Sequence, residues 1–482
     1  MKKILISIII ILFQEFTLAQ SVNVHLKSGQ MIQYPSQNID YIDFSESTPP
    51  TLFGFPDSNT YLDTKANIIL SYNAPSFGWI TDSHWGPDDG NFSTGVEGSA
   101  RKAHILLNYL KKRVDIGKVL FGGDAYTIGA DRYQAAQMLS NYTTDFFSCF
   151  GGDGIFCIGN HDCNAPLYKL TKDTNSFIPD KEVYKRTVGL MSQKEIVYDD
   201  ELLCTIDAMR NDVSTSVSTM AEDEYNNLVA WCKMHFYIDD KERGIRYVIL
   251  ESNDEGYTTT ITLNITGFNT AFFVQYDFLA QALKSIPENY HVVVCAHNMY
   301  HYANASSYGI GPSGMNVGII LSNFKAKTVC SVSGPGASTP LLQEIFNYGH
   351  GNSRIYDFTN ANSVKKILCL YGHVHYNESW IIQKTNGVDN PTREYRGYSC
   401  YTYSPNIKMD NNAILFVSSN ADSYYLDKIA LSTSHPTGTV ARISHDTLMT
   451  TDEHSFDIIT LLENSVEFTR IGAGSSRSFE YK

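Results

Sequence analysis

The chain has 482 residues, 43% of them hydrophobic and 18% charged, enough to bury a large core in one big domain or two to three smaller ones. Its formal net charge of −14 excludes a surface built to neutralise the backbone of a long nucleic acid. Nine cysteines are too few for a disulfide-built scaffold. A disulfide among Cys149, Cys157 and Cys163 stays open, whereas Cys295 and Cys369 lie inside apolar runs and read as packing residues.

In chain order, the first residues read as an export signal: Lys2 and Lys3, the apolar run Ile4 to Phe13, then Thr17 and Ala19 before a cut at Gln20. This predicts removal of residues 1–19 and a periplasmic or extracellular protein. That run is too short to span a bilayer, no later run reaches the ~18–20 apolar residues of a membrane helix, and no cysteine at the cut marks a lipid anchor. Residues 20–48 alternate polar and apolar around "KSGQ", predicting a small N-terminal β-hairpin appendage, and residues 49–64 read as a Ser, Thr and Pro-rich linker. Residues 65–482 form the main domain.

Within that domain, strands and helices alternate from about Ile68. "SFGWITDSH" reads as a strand, "SARKAHILLNYLKKR" as a helix, "GKVLFGGDA" as a strand, "DRYQAAQMLSNYTTDFF" as a helix and "GIFCIGNHD" as a third strand, the signature of a layered α/β sheet with crossovers. Residues 165–240 are polar and less regular and read as an insertion. "IRYVILESND", "QYDFLAQALKSIP" and "YHVVVCAHN" resume the strand, helix, strand order. A second insertion, 300–348, contains the Gly, Ser and Pro clusters "GIGPSG" and "SGPGAS", and short β-like segments follow His375.

Five apolar runs end on polar residues. Asp82 and His84 close the first, Asp124 the second, Asn160, His161 and Asp162 the third, His297 the fourth, and His373 and His375 the last. Any one of these has an ordinary explanation in turn chemistry or a structural histidine. Together they converge, because ligands of α/β sheets gather beyond the carboxyl ends of the strands. Carboxylates, imidazoles and an amide oxygen suit two divalent ions ~3.5–4 Å apart, and the abundance of imidazole favours Mn, Fe or Zn over Mg or Ca. Asp82 and His84 share a strand face and can bind one ion together; so can His373 and His375. Asp124 is the candidate for a carboxylate shared by both ions.

The blocks "DSH", "GGD", "GNHD", "AHN" and "GHVH", in this order, resemble the five blocks of the calcineurin-like metallophosphoesterase family. The resemblance covers about residues 68–375 and implies a four-layer α/β/β/α sandwich with two metals at the strand ends. It implies that Asp82, His84 and His375 hold the first metal, that Asn160, His297 and His373 hold the second, and that Asp124 bridges them. His161 matches the family's catalytic histidine, stabilising the phosphoryl transition state and protonating the leaving oxygen while a metal-bridging hydroxide attacks phosphorus. Asp162, beside it, is the adjacent candidate for orienting His161, set against the structural role commonest for such a residue.

Two departures narrow the subfamily. Thr127 stands where purple acid phosphatases carry a tyrosine, and "GDAYTI" lacks the second Asp and the Arg of the Ser/Thr protein phosphatases. Tyr300 and His301 follow the fourth block and are candidates for substrate contact, set against the packing role common for loop aromatics. Arg470 and Arg477 near the C-terminus read as part of a turn ending a sheet rather than a phosphate site.

The expected protein is an exported, binuclear-metal phosphoesterase acting on a small phosphorylated substrate, a phosphomonoester or phosphodiester. Its alternative is a noncatalytic exported binding or glycan-contact protein on the same fold. Substrate identity and oligomeric state have no readable code in the sequence.

Overall fold

The computed structural model describes residues 21–25, 31–35, 58–84, 96–171, 173–191, 195–251, 270–299, 314–333, 340–348, 353–374, 377–384, 393–395, 397–404, 409–419, 454–472 and 474–481. The export signal and the candidates Tyr300, His301 and His375 lie outside these residues. The chain divides into two units, Met1–Gly54 and Phe55–Lys482. In the first, β1 (Ser21–His25) pairs antiparallel with β2 (Met31–Pro35) in the register Ser21 to Pro35.

The second unit is mixed α/β. It begins with α1 (Ser58–Tyr72), β3 (Ser76–Ile80), α2 (Val96–Arg113), β4 (Ile116–Phe121), α3 (Arg132–Phe150) and β5 (Gly154–Phe156). Residues 58–64, assigned above to a linker, are instead the start of α1. Leu62, Ala66 and Ile69, spaced to share one helix face, are all buried, and this apolar stripe outweighs the polar composition around it. The helix α3 is set by its ends. The Asp131 side chain accepts N–H bonds from Tyr133 and Gln134, both 2.8 Å, and Gly151 closes the helix at φ 54°. Ala135, Met138, Leu139, Tyr142 and Phe146 on its inner face are buried, where Tyr142 and Phe146 meet Phe121 of β4.

The chain continues through α4 (Ala165–Thr171), α5 (Asp180–Arg186), β6 (Val197–Tyr198), α6 (Asp200–Asn211), α7 (Glu222–Cys232), β7 (Phe236–Asp240), β8 (Ile245–Ile249), α8 (Thr270–Lys284) and β9 (His291–Cys295). Residues 165–240, which looked irregular, thus hold four helices and two strands of the larger sheet. Leu202, Ile206, Leu228 and Trp231 enter the main core, so their short helices are held by packing rather than by length. Next come α9 (Gly314–Lys325), β10 (Val329–Ser333), α10 (Pro340–Asn347) and β11 (Ser353–Asp357). The last strands are β12 (Ile367–Tyr371), β13 (Glu378–Lys384), β14 (Arg393–Tyr395), β15 (Tyr398–Thr402), β16 (Ile414–Ser418), β17 (Ser455–Leu461), β18 (Ser465–Gly472) and β19 (Arg477–Glu480).

Among the described residues, one sheet has the order β19-β18-β17-β3-β4-β5 and another β14-β15-β13-β16-β12-β9-β8-β7-β6. β3, β4 and β5 run parallel in the first, and β8, β9, β12 and β16 run parallel at the centre of the second. β3, β9, β12 and β16 are buried along their whole length, which explains why their sequences are apolar runs without alternation. The sheets meet where Phe77 of β3 packs edge-on against Tyr247 of β8, at 5.5 Å.

All nine cysteines are free thiols, and Cys295 and Cys369 are fully buried. Arg470 and Arg477 are structural. Arg470 is buried and donates to both carboxylate oxygens of Asp457, its cross-strand partner, at 2.8 and 2.9 Å, and Arg477 reaches the same carboxylate at 3.2 Å.

Candidate metal centre

The site is assembled from the carboxyl ends of strands in both sheets. β3 runs into Asp82 and His84, β4 into Asp124, β5 into Asn160 and His161, β9 into His297 and β12 into His373. Parallel strands release their chains on one side, so residues far apart in sequence are delivered to one place. Backbone bonds between strand ends fix the loops: Asp82 N–H donates to Gly123 O (2.9 Å), His84 N–H to Asp124 O (3.0 Å) and Gly372 N–H to His297 O (2.9 Å).

The local backbone is costly. Asp82, His84, Asp124 and His373 all have positive φ, at 54°, 43°, 61° and 64°. Non-glycine residues rarely sit there, and each costs about 1–3 kcal/mol unless the surroundings impose it. Two glycines make the crowding tolerable. Gly123, at φ 99°, leaves room for His297, whose Nδ1 would lie 2.6 Å from an added Cβ. A Cβ at Gly372 would run into Thr81 Oγ1 and the Asp82 carboxylate. The glycines of "GGD" and "YGH" are therefore spaces left for neighbouring ligand side chains.

Asp124 is the hub. Its Oδ1 accepts the backbone N–H of His161 at 2.8 Å, which fixes the carboxylate and leaves Oδ2 facing three imidazoles. Oδ2 lies 3.0 Å from His297 Nε2, 3.6 Å from His84 Nε2 and 3.9 Å from His161 Nε2. Asp82 Oδ1 is 3.8 Å from His84 Nε2 and 4.0 Å from His297 Nε2. His373 Nδ1 and Asn160 Oδ1 are 2.9 Å apart, and His373 N–H donates to both oxygens of Asp82, at 3.0 and 3.1 Å. Two donor groups, His84 with Asp124 and His161, and Asp124 with His297 and His373, share the Asp124 carboxylate.

These groups fit divalent metal ions. Metal bonds of ~2.1 Å place neighbouring ligand atoms about 3.0–3.4 Å apart, close to the observed spacings. The tautomers agree too. His297 Nδ1 lies 2.8 Å from Gly122 O and His161 Nδ1 bonds Thr127 O; a carbonyl only accepts, so each Nδ1 carries a hydrogen and each Nε2 is the nitrogen turned toward Asp124. A lone pair facing a buried carboxylate oxygen requires positive charge between them. Without metal, a proton serves: burial opposes a charge on His297, yet Asp124 pushes its imidazole up to about 10. Burial likewise opposes the Asp124 anion, but His297, His161 and His84 outweigh it and hold that carboxyl below the usual range.

His161 and His373 are the partly exposed imidazoles among the described site residues. The His161 side chain is 18% exposed, while His84 and His297 are sealed at 0%. Its ring packs edge-on against His84, centroids 4.5 Å apart. By distance His161 belongs to the donor group with His84 and Asp124.

The structure places Asp162 elsewhere. Its carboxylate accepts backbone N–H groups of Gly159 (2.8 Å), Asp124 (3.1 Å) and Ala125 (2.8 Å), clamping the "GGD" and "GNH" loops together. Burial and the neighbouring Asp124 charge push its carboxyl up to about 7, against the Gly159 and Ala125 N–H donors. What orients the His161 ring is the Thr127 carbonyl. The Thr127 hydroxyl meanwhile donates to His84 O at 2.7 Å, so one residue ties two blocks. Nothing in the sequence marks this role, because a backbone carbonyl has no residue type.

No protein-family model matches this chain, and no curated protein matches it. Among solved structures, the crystal structure of a dimetal phosphatase from Danio rerio is similar, covering 85% of this chain and 99% of that one at 11% sequence identity and a TM-score of 0.39.

Proposed function

We propose that this chain is an exported phosphoesterase of the calcineurin-like kind, hydrolysing a small phosphomonoester or phosphodiester at a binuclear metal centre in an α/β/β/α sandwich. The observation that carries the reading is the meeting of two donor groups at the single carboxylate of Asp124. Two such groups sharing one carboxylate are what a bimetallic hydrolase needs and a single structural ion does not. The two sheets contributing strand ends to one site, with helices α2 and α3 beside the first and α6 to α9 beside the second, support the layered reading. The export element rests on the first 19 residues of the sequence.

In this reading Asp82, His84 and His375 would hold one ion and Asn160, His297 and His373 the other, with Asp124 common to both. The ions would supply Lewis-acid charge and an activated water. His161 is the proton donor to the leaving oxygen through Nε2, because the Thr127 carbonyl anchors its Nδ1–H and its side chain is partly exposed. Asp162 holds the two loops in register.

The test is hydrolysis of p-nitrophenyl phosphate and bis-p-nitrophenyl phosphate by protein loaded with Mn or Zn. His161→Ala should keep its metal and lose roughly 10²–10⁴ in turnover. No hydrolysis by fully metallated protein would overturn the proposal in favour of a binding protein. Loss of metal from the His161 variant would instead make His161 a ligand.

A further inference from the structure

At the opposite end of the central strands from the metal centre lies a second polar cavity of about 320 Å³. It is lined by segments that precede β12 and β16, by the C-terminal end of α9 and by the turn between β17 and β18. From Lys366 to His373 the chain runs seven residues, about 23 Å at the rise of an extended strand, so the two sites are separate.

The cavity concentrates positive charge in a chain whose formal net charge is −14. Lys325, Lys365 and Lys366 line it against one carboxylate, that of the exposed Glu463. Lys366 is only 5% exposed. Its ammonium donates to Glu463 O at 2.7 Å and sits 4.1 Å above the Tyr481 ring, with Lys325 5.4 Å from the same ring. Neither Lys325 nor Lys366 has an ion pair among the described residues, and Lys366 keeps two of its three N–H donors without an acceptor. The Tyr481 hydroxyl is buried and makes no hydrogen bond. Burial first, and the Lys366 charge second, lower the Lys325 amine to about 8; burial lowers Lys366 to about 8 as well. Two ammonium groups crowded over one ring, with spare donors, are an arrangement that an anion would satisfy and the protein alone does not.

We propose that this cavity is a second binding site, for a small oxyanion carried on a hydroxylated body, such as a sugar phosphate or sugar sulfate. Lys325 and Lys366 take the oxyanion, above the ring of Tyr481. The side-chain amides of Asn411 and Asn464 on the lining supply partners for the hydroxyl groups. Its volume is of the size that holds one such molecule.

The test is calorimetric titration of the full-length, metal-loaded protein with glucose 6-sulfate, inorganic sulfate and glucose, at constant ionic strength. Glucose 6-sulfate should bind with a dissociation constant in the millimolar range or below and more tightly than inorganic sulfate, with no heat from glucose. Lys366→Met should weaken it by roughly tenfold or more while leaving metal content unchanged. Lys325→Met, at a half-buried position, should do the same and covers the case in which the Lys366 variant does not fold. Absence of binding by the wild-type protein, or binding by both variants as tight as that of the wild type, would overturn the proposal. Inorganic sulfate binding as tightly as glucose 6-sulfate would remove the hydroxylated body from it.

Discussion

Replacing Gly123 by alanine tests whether the close approach of the two sheets sets the site. Gly123 has φ 99°, and an added Cβ would lie 2.6 Å from His297 Nδ1 and 2.7 Å from Gly159 N. The backbone conformation costs about 1–3 kcal/mol for a residue with a Cβ. Relieving the overlap costs about 1–3 kcal/mol more. Pushing His297 away from Gly122 O, its 2.8 Å partner, loses a bond worth about 1 kcal/mol. Allowing for non-additivity, the variant should lose about 3–6 kcal/mol, a large part of the 5–15 kcal/mol typical of a native protein. Gly151→Ala is the control: its φ is also positive, at 54°, but an added Cβ meets nothing within 4 Å. That variant should lose only the backbone cost, about 1–3 kcal/mol. Unfolding free energies of the two variants from urea titration should therefore differ by about 2–4 kcal/mol, with metal content reduced only in the first. Equal midpoints would refute the argument that Gly123 is a space left for His297.

Arg470→Met should destabilise the protein by about 3 kcal/mol, the low end for breaking a buried pair, because Arg477 still reaches Asp457. An unchanged midpoint would show that the pair contributes nothing. The buried His291 provides a pH test. Burial, and then Lys365 and Lys366, depress its imidazole to about 3. The unfolded chain takes up that proton first, near 6.5, so stability present above 6.5 is lost as the pH falls toward 3, by about 2 kcal/mol at pH 5. His291→Leu should flatten this limb by that amount, and parallel curves would disprove it. Stripping divalent ions with a chelator should lower the melting temperature, and restoring Mn or Zn at a hundredfold excess over the dissociation constant should return about 2.7 kcal/mol. Asp124→Ala should show no such response; an identical response would remove Asp124 from the metal centre.

Much of the molecule was legible in its pattern. The apolar runs became the buried parallel strands because a strand covered on both faces tolerates no alternation. The helix at 132–150 was legible as the segment "DRYQAAQMLSNYTTDFF", and the structure showed its ends at Asp131 and Gly151. The start of α1 was hidden among linker-like residues, and the order within 165–240 was hidden because short helices carry weak periodicity and depend on the core they pack against.

For the site, the sequence alone determined the residue types and their places at strand ends, since chemistry is a property of side chains and strand ends are marked by where apolar runs stop. Only the tertiary structure decided their roles. It joined Asp82 to His373 across 291 positions and turned Asp124 Oδ2 toward three imidazoles. It also made Asp162 a clamp on backbone N–H groups and gave His161 the Thr127 carbonyl as its anchor. The reason is physical: backbone donors and acceptors are the same at every residue except proline, so which of them a side chain meets is set by how the loops are folded.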